Sequence, residues 1–297
     1  MAATRHRNTS TDKPMESVTT IVGLRSRTRH WNKQGRRIAF VPTMGNLHAG
    51  HLRLVQHARA IADHVVVSIF VNPMQFGQDE DYASYPSTLE QDKAALMDAD
   101  ADLLFMPAVS EMYASGLSQT TQVVVPGLNT ILEGEFRPTH FNGVTTVVAK
   151  LFNMVQPDVA VFGEKDFQQL LIIRRMVSDL AMPIAIEGVA TMRDADGLAM
   201  SSRNSYLSAA ERAIAPQLHQ TLLDVRDIVQ RGEHDLAAVE QAAMEQLREA
   251  GFGPQYLSVR RCTDLGFPES EHDERVVLAA ATLGTTHLID NVRVSVT

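Results

Sequence analysis

Cysteine is almost missing from this 297-residue chain, and Cys262 stands alone. One thiol cannot close a disulfide within the chain, and it excludes the Cys-rich zinc sites. It fits a reducing compartment. No apolar run approaches the roughly 18–20 residues that span a bilayer, so no membrane partner is expected and the expected location is the cytoplasm. Positive charge is also in deficit: 27 Lys and Arg stand against 35 Asp and Glu, a formal net charge of −8. Polyanion-binding chains usually show the opposite balance or a clustered basic face. Nucleic acid is therefore not an expected partner, although a few local donors suffice for one nucleotide. Residues 1–14 carry Arg5, His6, Arg7 and Lys13 but no apolar stretch. They read as a disordered extension rather than a secretory signal.

What the chain does have is the composition of a globular enzyme, with 44% hydrophobic and 21% charged residues. From Ser17 onward, helical and strand-like segments alternate. Helices are expected over 18–35, 52–62, 89–99, 141–155 and 166–180, and strands over 38–41, 64–71, 103–105, 159–162 and 184–189. The run Val65, Val66, Val67, Ile69 and Phe70 is apolar and rich in β-branched residues, as in a parallel strand buried on both faces. Such alternation predicts a Rossmann-like, doubly wound parallel sheet. Past Arg193 the order changes to helices at 208–231 and 236–250, then strands at 256–261, 275–281 and 287–296. This predicts a smaller α+β domain over 191–297, following a first domain over 15–190.

Four segments carry chemistry. Met44, Gly45, Asn46, Leu47, His48, Ala49, Gly50 and His51 follow the first long strand and open a helix. Ligands of open α/β sheets lie at the carboxyl ends of strands, and a helix N-terminus favours an anion. His48 and His51, three apart, share one face and can donate to phosphate oxygens. A plain strand–helix turn is the structural alternative. A metal pair is the other, for which no third ligand lies nearby.

Asn72 and Gln75, in Asn72-Pro73-Met74-Gln75-Phe76, place amides at the end of the next strand. Amides donate and accept, so they suit a hydroxyl or carboxylate substrate, though a polar turn would look the same. Gly163, Glu164, Lys165 and Asp166 follow another apolar strand. Lys165 is a point charge suited to phosphate, Asp166 is a possible helix cap, and Gln169 lies in the first turn. Met200, Ser201, Ser202 and Arg203 form a compact donor cluster for β- and γ-phosphates in a loop that could close over them. A solvated linker with a Ser cap is the alternative there.

The His48-Ala49-Gly50-His51 element resembles the nucleotidylyltransferase superfamily signature, and Met200-Ser201-Ser202-Arg203 resembles the Lys-Met-Ser-Lys-Ser type of loop. With Asn72–Phe76 and Gly163–Gln169 in the same order, the chain resembles the pantothenate synthetase (pantoate–β-alanine ligase) family from about Met15 to its C-terminus, most weakly after Gly232. Ser87 stands where a basic residue is common, and Thr139 where glycine is common, which leaves the loop conformation at Thr139 open. The resemblance implies ATP-dependent condensation of pantoate with β-alanine through a pantoyl-adenylate, with Mg²⁺, in a homodimer. It places ATP along 44–51, 163–166, Met192 and 200–203. His51, His48, Lys165 and Arg203 take the catalytic roles, with His51 a proton donor. Gln75, Gln169 and Asn72 fall to pantoate and β-alanine. A nucleotidylyltransferase acting on a phosphorylated alcohol would need Arg or Lys where Gln75 and Gln169 stand.

Overall fold

The computed structural model describes residues 15–77 and 80–295; the extension expected over 1–14 lies outside them. The chain runs through β1 (Glu16–Val18), α1 (Ile21–Lys33), β2 (Ile38–Thr43), α2 (Ala49–Ile61), β3 (His64–Ile69), α3 (Leu89–Asp98) and β4 (Leu103–Phe105). Two short helices follow, α4 (Val109–Met112) and α5 (Glu133–Phe136), then α6 (His140–Val155), β5 (Val159–Gly163), α7 (Phe167–Asp179) and β6 (Ala185–Val189). The remainder is α8 (Ala209–Ile214), α9 (Gln217–Gln230), α10 (Leu236–Glu249), β7 (Gly253–Arg261), β8 (Arg275–Leu283) and β9 (Thr286–Val294).

The first six strands form one parallel sheet in the order β1-β4-β3-β2-β5-β6. Its strands are apolar throughout because both faces are covered. Ile38 and Phe40 point into a core with Leu24 of α1 and Phe152 of α6, while Ala39 and Val41 point into one with Val55 and Ala58 of α2. From β2 the chain winds outward through β3 and β4, and from β5 it winds the other way to β6. The strand order therefore reverses between β2 and β5, and a crevice opens at their carboxyl ends. β7, β8 and β9 make a second, antiparallel sheet. One face of it packs on Leu218, Leu222 and Val225 of α9 and Leu247 of α10. On its other face, Val276 and Leu278 meet Leu132 and Phe167 from the first sheet's side. This is the expected Rossmann-like sheet with a smaller C-terminal α+β part.

Two expectations need correction. The helix expected over 18–35 begins only at Ile21, where the Thr20 side chain accepts from Gly23 N–H. Residues 16–18 instead pair with β4 as a sixth strand. The helix expected over 208–231 is two helices, α8 and α9, separated at Ala215-Pro216. Pro216 has no N–H to continue the ladder, and its ring crowds the carbonyl four residues back.

Candidate active site

The crevice at the β2/β5 switch point is a deep pocket, with walls from both sheets. Met44, His48, Gly50 and His51 line it from the turn after β2. Lys165, Asp166 and Gln169 enter after β5, Asn72 and Gln75 after β3, and Met192, Met200, Ser201, Ser202 and Arg203 from the connection to α8. An apolar wall of Val144, Val147, Val148 and Leu151 comes from α6, with Phe162 from β5.

The two histidines are more constrained than their spacing alone suggests. His48 is the N-cap of α2, and its Nδ1 accepts the Gly50 N–H at 3.1 Å. His51 Nδ1 accepts the His48 N–H at 3.3 Å, which completes a reciprocal capping box. The ring centroids lie 4.1 Å apart. A ring nitrogen that accepts a backbone N–H carries no proton, so each neutral imidazole holds its proton on Nε2. Burial first, and then the nearby Lys165 charge, lower the pKa of His48 from 6.5 to about 4. His51 falls to about 3, again through burial first and then the His48 and Lys165 charges. Both are neutral donors at physiological pH. Gly50 permits this packing, since a Cβ there would lie 2.8 Å from His48 Cε1.

The backbone of the loop does something other than expected. Gly45 (φ +83°) and Asn46 (φ +50°) are left-handed, and the N–H groups of Asn46 and Leu47 both donate to the buried Asp92 carboxylate of α3 at 2.8 Å. Thr88 Oγ1 also donates to Asp92, at 3.0 Å. Those donors are thus already taken by the protein's own anion. Gly45, Asn46 and Leu47 stand behind the pocket rather than in its lining, as do Ala49, which is exposed, and Glu164, whose carboxylate accepts from Arg293 at 3.1 Å. Asp166 makes no side-chain cap; its carboxylate lies 4.0 Å from Lys165 Nζ.

The amides divide into two kinds. Gln75 Oε1 accepts from Asn72 Nδ2 at 3.1 Å, and among the described residues its Nε2 donates only to Met44 Sδ, at 3.3 Å. Asn72 is committed inward: Nδ2 also donates to Gly143 O, and Oδ1 accepts from Tyr113 Oη at 2.6 Å and from Met74 N–H. Gly143 is required at that contact, where a Cβ would fall 2.3 Å from Met74 O. Gln168 is wholly structural, donating to Leu128 O and Ile131 O and accepting from Glu133 N–H. Gln168 and its neighbour Gln169 both border the pocket.

Several lining residues escaped the sequence reading. His140 Nδ1 is 2.9 Å from Gln75 O, and burial, helped by the Arg137 charge, lowers its pKa to about 4. Arg137 pairs with Glu80 and lies 3.4 Å from Glu133. Both sit in the Arg137-Pro138-Thr139-His140 stretch already singled out for Thr139, so charge beside an aromatic ring was a usable signal there. Thr139 itself has ordinary right-handed angles (φ −103°, ψ −8°) and needs no glycine. Tyr256, His287 and Asn291 come from the second sheet, and no local pattern marks them. Arg203 is not free: it forms a two-point pair with Asp81 at 2.9 and 3.1 Å.

The sequence profile of the family described as pantoate-beta-alanine ligase matches residues 16–293. The chain belongs to the pantoate–β-alanine ligase family. It is 55% identical over 280 residues to the pantothenate synthetase of Thioalkalivibrio sulfidiphilus, covering 94% of this chain and 98% of that one. To the Shewanella loihica pantothenate synthetase it is 53% identical over 277 residues, 93% and 98% of the two chains. The crystal structure of the Thermus thermophilus pantothenate synthetase superposes with a TM-score of 0.87 at 45% identity, over 94% of this chain and 99% of that one. A Francisella tularensis pantoate–β-alanine ligase, solved with β-γ ATP and β-alanine, gives 0.78 at 32% identity over 94% and 97%. As a member of this ligase family, the chain is an ATP-dependent enzyme that joins pantoate to β-alanine. No described helix is long and apolar enough to cross a membrane.

Proposed function

We propose that the ligase works in two steps, with the pocket residues divided between them. The pantoate carboxylate, ionised at neutral pH, attacks the α-phosphorus of ATP; pyrophosphate leaves and a pantoyl-adenylate forms. The β-alanine amine then attacks the acyl carbon, and AMP leaves. Catalysis in the first step is positioning and charge stabilisation. The observation that carries this reading is the pair of neutral Nε2–H donors, His48 and His51, beside Lys165 at the switch point, facing uncharged amides across the pocket. His51 and His48 donate to the phosphoryl oxygens as negative charge builds there. Lys165, Ser201, Ser202 and Arg203 hold the departing pyrophosphate.

Gln75 and Gln169 hold the pantoate carboxylate and hydroxyls. The apolar side chains of α6 accept its gem-dimethyl group, and Gln75 also borders the β-alanine position. Asn72 acts behind Gln75, since its own hydrogen bonds are internal. Residues 15–190 form the domain that binds nucleotide and pantoate, and 191–297 the one that closes over ATP. No group of three or more His, Cys, Asp or Glu that could hold a metal occurs among the described residues. A Mg²⁺ would then arrive on the nucleotide's phosphate oxygens, and Asp166, which lines the pocket 4.0 Å from Lys165 Nζ, is a carboxylate that could help hold it. Such an ion would screen the triphosphate charge. A homodimer in the cytoplasm completes the reading; exposed Val22, Val109, Leu117 and Val124 give the N-terminal half apolar surface for a partner copy.

Isotope exchange between pyrophosphate and ATP tests the reading. Exchange should require pantoate, proceed without β-alanine, and fail with β-alanine alone. Gln75→Ala and Gln169→Ala each leave substrate polar groups unpaired, worth about 1–3 kcal/mol, so the pantoate concentration needed should rise about 10- to 100-fold. The dissociation constant for ATP should stay unchanged. Exchange driven by a phosphorylated alcohol, or Gln variants that lose ATP but keep pantoate, would sink the assignment.

A further inference from the structure

Asp290 and Asn291 are neighbours on β9, in the second sheet, yet each grips a different loop of the nucleotide site. Asn291 is buried, and its Nδ2 donates to Glu164 O and Lys165 O, both at 2.9 Å. An amide NH₂ has two hydrogens, and here both are used on consecutive carbonyls of the turn that carries Lys165. Asp290 is buried too, and takes a two-point pair from Arg193 at 2.6 and 2.9 Å. Arg193 also donates to Gly197 O and Asn291 O. It bridges to Ala199, and Met200 N–H donates to Met192 O. The resulting hairpin leads directly into Met200-Ser201-Ser202-Arg203.

We propose that Asn291 is a positioning residue for Lys165 and Asp290 one for the 200–203 loop, so that one dipeptide sets the spacing of the two phosphate-holding segments. This rests on the reading of Lys165 as a phosphate ligand. Two independent loops could each drift relative to the triphosphate. Tied to adjacent residues of one strand, they move together, and the cation of Lys165 stays at a set distance from the Ser201–Arg203 donors. A two-point guanidinium–carboxylate pair and a doubly donating amide both restrict orientation as well as distance.

The test measures pantoate-dependent exchange and thermal midpoint in Asn291→Ala, Asn291→Asp, Lys165→Ala and the Asn291→Ala/Lys165→Ala double variant. Asn291→Ala should lower the exchange kcat about 10- to 100-fold, the scale of a misplaced catalytic group, with the KM for pantoate unchanged. Asn291→Asp keeps the shape but sets a carboxylate against two carbonyls, so it should be worse than Ala; being isosteric, it also carries the test if Asn291→Ala does not fold. In the Lys165→Ala background, Asn291→Ala should add nothing to the loss, because its effect passes through Lys165. Losses that multiply, or an Asp variant as active as wild type, overturn the positioning role. Lys165→Ala with intact exchange overturns both this role and the reading of Lys165. Lys165→Ala without exchange, beside a fully active Asn291→Ala, removes the positioning role alone.

Discussion

The protonation state of two histidines is settled by backbone geometry rather than by their own chemistry. Nδ1 of His48 and Nδ1 of His51 each accept a backbone N–H, so the proton resides on Nε2. Burial lowers the two pKa values to about 4 and about 3. In an unfolded chain the same residues titrate near 6.5. Between pH 6.5 and about 4 the unfolded chain therefore binds more protons, and stability falls as pH falls through that window. His140, at about 4 for the same first cause, adds in the same sense; above pH 6.5 none of the three contributes. Since kcat/KM reports free-enzyme groups, kcat/KM for ATP in the exchange reaction should show no alkaline limb near pH 6.5. A limb there, abolished in His51→Ala, would mean that the imidazolium is the donor. The i, i+3 spacing of the histidines was legible in the sequence. Their reciprocal cap was not, because that motif is expected of Ser or Thr with Glu or Gln.

At the scale of elements, the long strands were legible because runs such as Val65-Val66-Val67 are apolar on both faces. Glu16-Ser17-Val18 was not, since three residues carry no periodicity and the apolar pattern of α1 follows at once. Asp92 illustrates a deeper limit. On its own helix it reads as one more polar residue of Leu89-Glu90-Gln91-Asp92, yet it is buried and holds the 45–47 loop 46 positions away. Only the fold brings α3 under that loop. Asp92→Asn keeps the size but turns one of two acceptors into a donor facing an N–H, which costs about 1–3 kcal/mol. Because the loop enters α2 directly at His48, ATP affinity should weaken about tenfold by that same cost, alongside a lower thermal midpoint. Calorimetric titration with ATP reads the first effect. A lowered midpoint with unchanged affinity would show that the loop tolerates the shift.

Across the whole molecule, the second sheet and the segment leading to it close onto the first through a few polar ties. Ser202 Oγ donates to Asn46 O at 3.0 Å, Asn291 reaches the 164–165 turn, and Arg203 pairs with Asp81. These ties span more than a hundred residues each, which is why Tyr256, His287 and Asn291 left no mark in the linear pattern while the strand-end loops did. The Arg203–Asp81 pair has a particular consequence. Asp81 takes the Nε and one Nη2 hydrogen of Arg203 and leaves the Nη1/Nη2 edge open, so a pyrophosphate held there, as proposed, would have the Asp81 carboxylate as a like-charged neighbour. The pair therefore holds the loop closed before ATP arrives and opposes ATP once it is there. Asp81→Asn should remove both effects. Without ligand, the 196–206 loop should be cut faster by a protease, because closing contacts are lost. ATP should bind a few-fold more tightly, because one competing negative charge is gone, and the gain should shrink as salt rises. Bound ATP should restore the protection of the loop. Limited proteolysis with and without ATP, beside titrations at two ionic strengths, separates the outcomes. If Asp81→Asn weakens ATP binding instead, the carboxylate serves the nucleotide by holding Arg203 in place, and its charge does not oppose ATP.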